Sequence, residues 1–377
     1  MSCSLGVPSK ICIDARKLHD FGIGSYVRNL VSALAKRASQ DDYWLLVPGG
    51  AESFTSRLPA NFHAVVETAA GYSLREQVAV SRRLSEIGPD LYHATHYVLP
   101  GRLPCPAVVT IHDLIHLLYP RFLPNRFAYY YARFMVRRAL RRARSIITVS
   151  NTSRDDLQCM FPASTTAIDV IHNGVDGMFA KEIGEEELAQ RLRRLEVRPP
   201  YFLFVGNPKP HKNLDALLRA FANTQSIPER LVVVGDRGDS GATQQLCDEL
   251  GIGERVDLLG YVEASSLPAV YRGSTALVHP SHYEGFGLPV AEAMASGTPV
   301  IAADVPALRE IANNAAEWID PNDDTTISQA LSKLSKDRDR RQELSHRGLE
   351  QAKRFSWDKC AEKTEQVYRR ALSNQQP

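Results

Sequence analysis

The chain has 377 residues, 44% hydrophobic and 23% charged, with 23 Gly and 22 Pro, a globular composition that excludes a disordered, fibrous or low-complexity protein. At ~150 residues per domain, that length predicts two domains. Lys and Arg number 45 against 43 Asp and Glu, a formal charge of +2, so no global field marks a nucleic-acid binder, and an anionic ligand must be held by local geometry.

Short β-branched runs alternate with helical patterns along the chain, at 11–15, 43–48, 107–112 and 145–150, then at 201–206, 231–235, 275–280 and 299–304. Each run is too short and too apolar for a strand with one wet face, which predicts parallel sheets covered on both sides by crossover helices. Two such series predict an α/β fold of two doubly wound, Rossmann-like domains facing a cleft, with the ligand at the carboxyl ends of the strands. A charged helical stretch at 177–200, closed by Pro199 and Pro200, places the junction, giving one domain over 1–180 and a second over 181–355. In the last segment, 356–377, Ser356 can cap a helix carrying apolar Cys360, Val367 and Leu372. Such a helix either closes its own domain or crosses back to complete the first, and the pattern does not choose.

Six dispersed cysteines, Cys3, Cys12, Cys105, Cys159, Cys247 and Cys360, form no Cys-x-x-Cys pair, as expected of reduced thiols in a cytoplasm. The start lacks a secretory apolar stretch and no segment approaches the ~20 apolar residues of a membrane span. A cytoplasmic protein, soluble or peripheral at the inner face of the membrane, is the expectation.

The densest chemical signal runs from Ser281 to Val300, between an apolar strand and a helix. Pro289 suits the first helical position and Gly297 the left-handed residue after the last turn. Between strand and helix, Gly285-Phe286-Gly287 lets backbone N–H groups approach an anion at a positive helix end. Glu284 and Glu292 bracket this loop, and carboxylates accept hydrogen bonds well from sugar hydroxyls. One Glu alone would be a helix-dipole partner; strand, Glu, Gly-x-Gly-x-Pro, Glu and a terminated helix in order predict a sugar-nucleotide site. A cation is expected from Asn207-Pro-Lys209-Pro-His211-Lys212, where Lys212 stands just before a helix and His211 is a supporting donor. Tyr261 and Val262, after Gly260, would frame a base through backbone groups.

In the first half, Gly22-Ile-Gly24 opens a helix but lacks the third glycine of a dinucleotide fingerprint and its distant acid, which argues against a dehydrogenase and for a loop lining the donor. His112 closes a strand at its carboxyl end. His112 and His116 have the spacing of a metal pair but no third ligand, Asp337-Arg-Asp339 reads as a solvated helix, and Arg237-Gly-Asp-Ser240-Gly lacks the glycine of a serine-hydrolase loop at Ala242. No metal site is expected.

From Leu114 to Arg154 there is no Asp or Glu, and nine Arg occur. Phe127, Tyr129, Tyr130, Tyr131 and Phe134 are interleaved with them. Such a segment rests on anionic headgroups, receives a lipid-diphosphate acceptor, or packs its aromatic side on its own sheet, and 121–144 is the candidate for peripheral membrane contact. No recognition motif for nucleic acid accompanies the arginines.

SHYEGFGLPVAEAMASGTPVIAAD, YFLFVGNPKPHKNLDALLRAF, VIHNGVD and GIGSYVRNL together resemble the group 1 glycosyltransferases (family 4), retaining enzymes of the two-domain GT-B fold. HATHYVLP and TIHDLIHLLYP are similar to bacterial mannosyltransferases of O-antigen and polysaccharide assembly. The resemblance implies that Glu284 holds hydroxyls of the transferred sugar, Glu292 the ribose, and Lys212 the diphosphate with the N–H groups of Phe286, Gly287 and Leu288. It implies that His112 contacts sugar and phosphate and that Gly24 lines the donor. Many relatives carry Arg where Asn207 stands and a basic residue where His211 stands, and Lys209 would supply the charge.

The resemblance further implies transfer of a hexose, mannose from GDP-mannose, to a saccharide or lipid-linked saccharide, without metal or cofactor. Lys212 and the loop amides would stabilise the departing diphosphate. No carboxylate stands out as a nucleophile for double displacement, and the resemblance implies front-face attack in which the leaving phosphate takes the acceptor's proton. A sugar-nucleotide epimerase and an inert GT-B scaffold are the alternatives.

Overall fold

A computed structural model describes residues 8–37, 39–123, 125–235 and 241–373; the Arg237-Gly-Asp-Ser240 segment lies outside them. Contacts divide the chain into two compact units, one running to Gly174 and including the helix Trp357–Ser373, the other Val175–Ser356.

The first unit holds a seven-stranded parallel sheet of β1 (Lys10–Asp14), β2 (Asp42–Val47), β3 (Phe62–Val66), β4 (Leu91–Ala94), β5 (Ala107–Ile111), β6 (Ser145–Thr148) and β7 (Ala167–Val170), in the order β3-β2-β1-β4-β5-β6-β7. Both faces are covered, because alternate side chains enter different cores: Ile11 and Ile13 of β1 pack with helix Ile23–Lys36, while Cys12 packs with Val80 and Leu84. The second unit repeats the plan with β8 (Tyr201–Val205), β9 (Arg230–Val234), β10 (Val256–Gly260), β11 (Ala276–His279), β12 (Val300–Ala303) and β13 (Glu317–Ile319), in the order β10-β9-β8-β11-β12-β13. Strand order reverses between β1 and β4 in one sheet and between β8 and β11 in the other, which opens a crevice at the carboxyl ends there.

Helix Trp357–Ser373 packs on the first unit. Cys360, Ala361, Val367 and Tyr368 are buried with Tyr26, Leu30 and Leu34 of helix Ile23–Lys36, and Arg37 Nε donates to Glu365 Oε2 at 2.7 Å. Tyr368 Oη lies 2.6 Å from His93 Nδ1, and His93 Nε2 lies 2.8 Å from Thr110 Oγ1. The division between units falls after Gly174 rather than at 180/181. Val175 bridges Ser356, and helix Gly177–Ala180 is held by Arg272, whose guanidinium donates to the carbonyls of Phe179 and Lys181.

Candidate active site

The second unit collects its charged groups on the two strands that flank the reversal in strand order. β8 runs through Gly206 to a short turn at Pro210–Lys212, and β11 runs through Ser281 to Glu284. Asn213, at φ 59°, ends the first loop and donates through Nδ2 to the carbonyls of Pro280 and Pro321, at 3.2 and 2.7 Å. His282 N–H donates to His211 O at 2.9 Å, so the two loops are stitched together by main chain and amide.

That stitching brings Lys212 Nζ to 2.7 Å from Glu284 Oε1. His279 Nε2 lies 2.7 Å from the same oxygen, and Ser281 Oγ 3.2 Å from His279 Nε2. His279 is fully buried and its Nδ1 has no partner, so Nε2 is the nitrogen that serves the carboxylate. Burial alone would raise the Glu284 carboxyl, but Lys212 and His279 outweigh it and hold that carboxyl well below the usual carboxylate range. Glu284 is therefore a fixed anion.

Gly287, at φ 94°, precedes helix Leu288–Ala295, with Pro289 second in the helix rather than first. A Cβ on Gly287 would stand 2.5 Å from Leu308 Cδ2. Phe286 is buried edge-on against Phe355, with ring centroids 5.5 Å apart, which fixes the loop that presents these amides. Glu292 lies one turn further and accepts a 2.9 Å hydrogen bond at Oε2 from Tyr271. Burial pushes the Glu292 carboxyl up to about 7 despite that bond, and Asp176 adds to the rise. The two acids of the motif are thus electrostatic opposites, one locked ionised and one near neutrality.

Glycine ends three adjacent strands, Gly206 after β8, Gly235 after β9 and Gly260 in β10. Gly235 N–H donates to Gly260 O at 2.7 Å, and a Cβ on Gly235 would stand 2.6 Å from Gly206 O. No side chain fits at Gly235, which leaves a bare main-chain floor at the carboxyl ends of β8, β9 and β10. Asn207 and Lys209 follow that floor, Lys209 exposed, and Lys212 N–H donates to Lys209 O at 2.8 Å. Beyond Gly260, Tyr261 is 60% exposed and Val262 is buried.

Gly24 and His112 belong to the first unit. A Cβ on Gly24 would stand 2.7 Å from Leu18 O, so glycine lets the start of helix Ile23–Lys36 approach the Lys17–Leu18 main chain. Tyr26, two residues on, meets the His112 ring edge to face at 4.7 Å, and His112 Nε2–H donates to Thr95 O at 3.0 Å. Burial holds His112 below its usual range, and the bond to Thr95 leaves Nδ1 of the neutral ring as an acceptor. His116 Nδ1 faces Tyr97 Oη at 3.1 Å, and Asp337 caps its helix by accepting from Arg340 N–H. Among the described residues no cluster of three or more His, Cys, Asp or Glu could hold a metal.

A cavity of about 250 Å³ opens at the carboxyl ends of β1 and β4, lined by Asp14, Arg16, Glu67, Tyr72, Glu76 and His96 among others. Arg16 Nη2 bridges Asp14 Oδ2 at 2.6 Å and Glu76 Oε1 at 2.8 Å. Its charged lining, which includes Lys17 and Asp20, has four carboxylates against two bases. His96 Nδ1 is buried without a partner, and Tyr72 adopts φ 62°. Neither this cavity nor His279, Tyr271 and Gly235 stood out in the sequence. His279 looks like the last residue of an apolar run, and the cavity is assembled from single polar residues scattered over 14–98.

Residues 185–351 match the family model described as glycosyl transferases group 1, and residues 22–177 that of Glycosyltransferase Family 4. The chain is 32% identical over 286 residues to O-antigen chain mannosyltransferase B of Escherichia coli, covering 74% of each chain. It is 28% identical over 377 residues to D-inositol 3-phosphate glycosyltransferase of Salinispora arenicola, covering 93% of this chain and 79% of that one. Among solved structures, sucrose-phosphate synthase from Thermosynechococcus elongatus superposes with a TM-score of 0.80 at 21% identity, over 97% of this chain and 100% of that one. Anabaena HepE in complex with UDP-glucose superposes with a TM-score of 0.77 at 19% identity, over 96% and 99%.

Proposed function

We propose, for a chain that belongs to the group 1 (family 4) glycosyltransferases and has the GT-B fold, that it moves mannose from GDP-mannose to a saccharide or lipid-linked saccharide acceptor in polysaccharide synthesis. The observation that carries this reading is the cluster of Lys212, His279 and Glu284 in the sheet whose strands β8–β10 end in glycine. The floor accommodates a flat, polar nucleotide, and the loop amides at Phe286, Gly287 and Leu288 meet its diphosphate. Both hydrogen bonds to Glu284 converge on Oε1, so Oε2 remains to accept from a hydroxyl of the transferred sugar. Glu292 accepts from the ribose.

Charge develops on the leaving diphosphate as the sugar–phosphate bond breaks. The Lys212 ammonium, already fixed by Glu284, stabilises that charge with the loop amides, and Lys209 and His211 reinforce it. Transfer then needs no metal and no cofactor. We assign retention of configuration, with the acceptor hydroxyl attacking on the face that the diphosphate leaves and its proton passing to a phosphate oxygen. For His112, whose Nδ1 is an acceptor, a sugar hydroxyl is the better partner than phosphate.

The acidic cavity of the first unit suits the acceptor. Its excess of carboxylates favours a neutral, hydroxyl-rich ring over a phosphorylated acceptor such as the name of the Salinispora relative denotes.

Thermal-shift screening with GDP, UDP, dTDP and ADP and their sugar conjugates tests the donor, since a ligand that binds only the folded state raises Tm by mass action. A response to GDP and GDP-mannose alone is expected. A response to UDP alone would contradict the assigned base.

A further inference from the structure

Helix Arg126–Arg142 carries a surface that the transfer chemistry does not use. Its inner side, Ala132, Met135, Val136, Ala139 and Leu140, is buried on the first sheet. Its outer side reverses the usual pattern: Phe127 is 84% exposed, Tyr130 57% and Phe134 59%. These positions fall three and four residues apart, so the rings form one stripe along the solvent face, and Arg137 and Arg141, both exposed, continue it at the same spacing. The aromatic side of the segment therefore does not pack wholly on its own sheet.

The charge around the stripe has one sign. Among the described residues, none of Arg126, Arg137, Arg141 and Arg144 is paired with a carboxylate, and the segment from Leu114 to Arg154 contains no acid. Arg138 and Arg142 are tied instead to the Gly101 carbonyl, which fixes the helix to the body of the unit. Rings that are apolar on a cationic helix suit the interface of an anionic bilayer, where phosphates meet guanidinium groups and rings enter the headgroup–acyl boundary. A second copy of this face would bring like charges together.

We infer that the exposed face of helix Arg126–Arg142 docks on an anionic phospholipid surface, with Phe127, Tyr130 and Phe134 in the interface and Arg137 and Arg141 on the headgroup phosphates. The inference is independent of the proposed reaction, because it rests on a surface remote in sequence from Lys212 and Glu284.

Flotation of the full chain with phosphatidylcholine vesicles, with and without phosphatidylglycerol, tests it without any sugar nucleotide. Binding is expected only with phosphatidylglycerol, weakening as salt rises. The F127S/F134S and R137E/R141E proteins are each expected to partition at least about tenfold less, while unfolding at the wild-type temperature because the changed side chains are exposed. Bromolipid quenching of an F134W protein should show the ring in the bilayer. No binding at low salt, or binding that both double variants retain, overturns the proposal. So does concentration-dependent dimerisation in light scattering that both variants abolish, since the face would then be a contact between copies, and so does tighter binding to single-stranded DNA than to the anionic vesicles.

Discussion

Lys212 Nζ lies 2.7 Å from Glu284 Oε1, although 72 residues separate the two in the chain. Side chains of both are mostly buried, so each charge depends on the other. The pair converts two separate sequence signals, a cation before one helix and an acid before another, into a single device at the reversal of strand order.

Replacing Lys212 by Met should lower kcat/KM for sugar transfer by about 10²–10³-fold, the usual consequence of removing one stabiliser of a developing anion. It should also destabilise the protein by about 3–5 kcal/mol, because Glu284 is left with a buried charge and only His279 to answer it. Steady-state kinetics and urea unfolding read these separately. An unchanged kcat/KM with lowered stability would make the pair purely structural.

Glu292 gives stability a pH dependence of definite sign. Its carboxyl is raised to about 7 in the folded chain, against ~4.3 unfolded, so the folded state holds the proton more tightly. The stabilisation is complete below the unfolded value and is lost as pH rises to about 7. Relative to wild type, E292Q should therefore gain stability between acidic and neutral pH, by up to about 4 kcal/mol, and no more above pH ~8. Denaturant unfolding across that range checks this, and a difference that stays flat with pH would refute it.

Gly235→Ala tests the main-chain floor. The added Cβ meets Gly206 O at 2.6 Å in a backbone at φ 102°, so a loss of at least about 2 kcal/mol is expected. Nucleotide titration calorimetry should show weakened binding in the same protein, and wild-type affinity would separate the floor from the ligand.

Tyr368→Phe probes how the last helix is held. It removes the partner 2.6 Å from buried His93 Nδ1, which should cost about 1–3 kcal/mol. A shift in the urea midpoint without a change in slope is the expected reading. Wild-type stability would mean that apolar packing of Val367 and Cys360 suffices.

Much of this was legible in the sequence, for physical reasons that also explain what was not. The apolar runs of β1, β2, β5, β6, β8, β9, β11 and β12 stand out because both faces are buried. Central β4 escaped because its buried His93 interrupts the apolar pattern, and edge strands β3, β7 and β13 because they are only partly buried and carry polar residues, His63, Asp169 and Glu317. An amphipathic pattern over 357–373 reveals an apolar face but not which unit receives it; Tyr368 and Glu365 settle that through His93 and Arg37. Glu284, Glu292 and Lys212 were visible from residue type and position. Their opposite electrostatics were not, because burial sets Glu292 while Lys212 and His279 set Glu284, and neither the burial nor the approach of His279, which looks like an ordinary core residue, is written in residue order.

The most direct measurement is transfer of labelled mannose from GDP-mannose to a neutral saccharide by wild-type and Glu284→Ala protein, with GDP binding followed in parallel. With Glu284 holding the transferred sugar, the wild type transfers mannose and the variant loses transfer by at least about 10³-fold, with GDP still bound. Transfer at the wild-type rate by Glu284→Ala would contradict it.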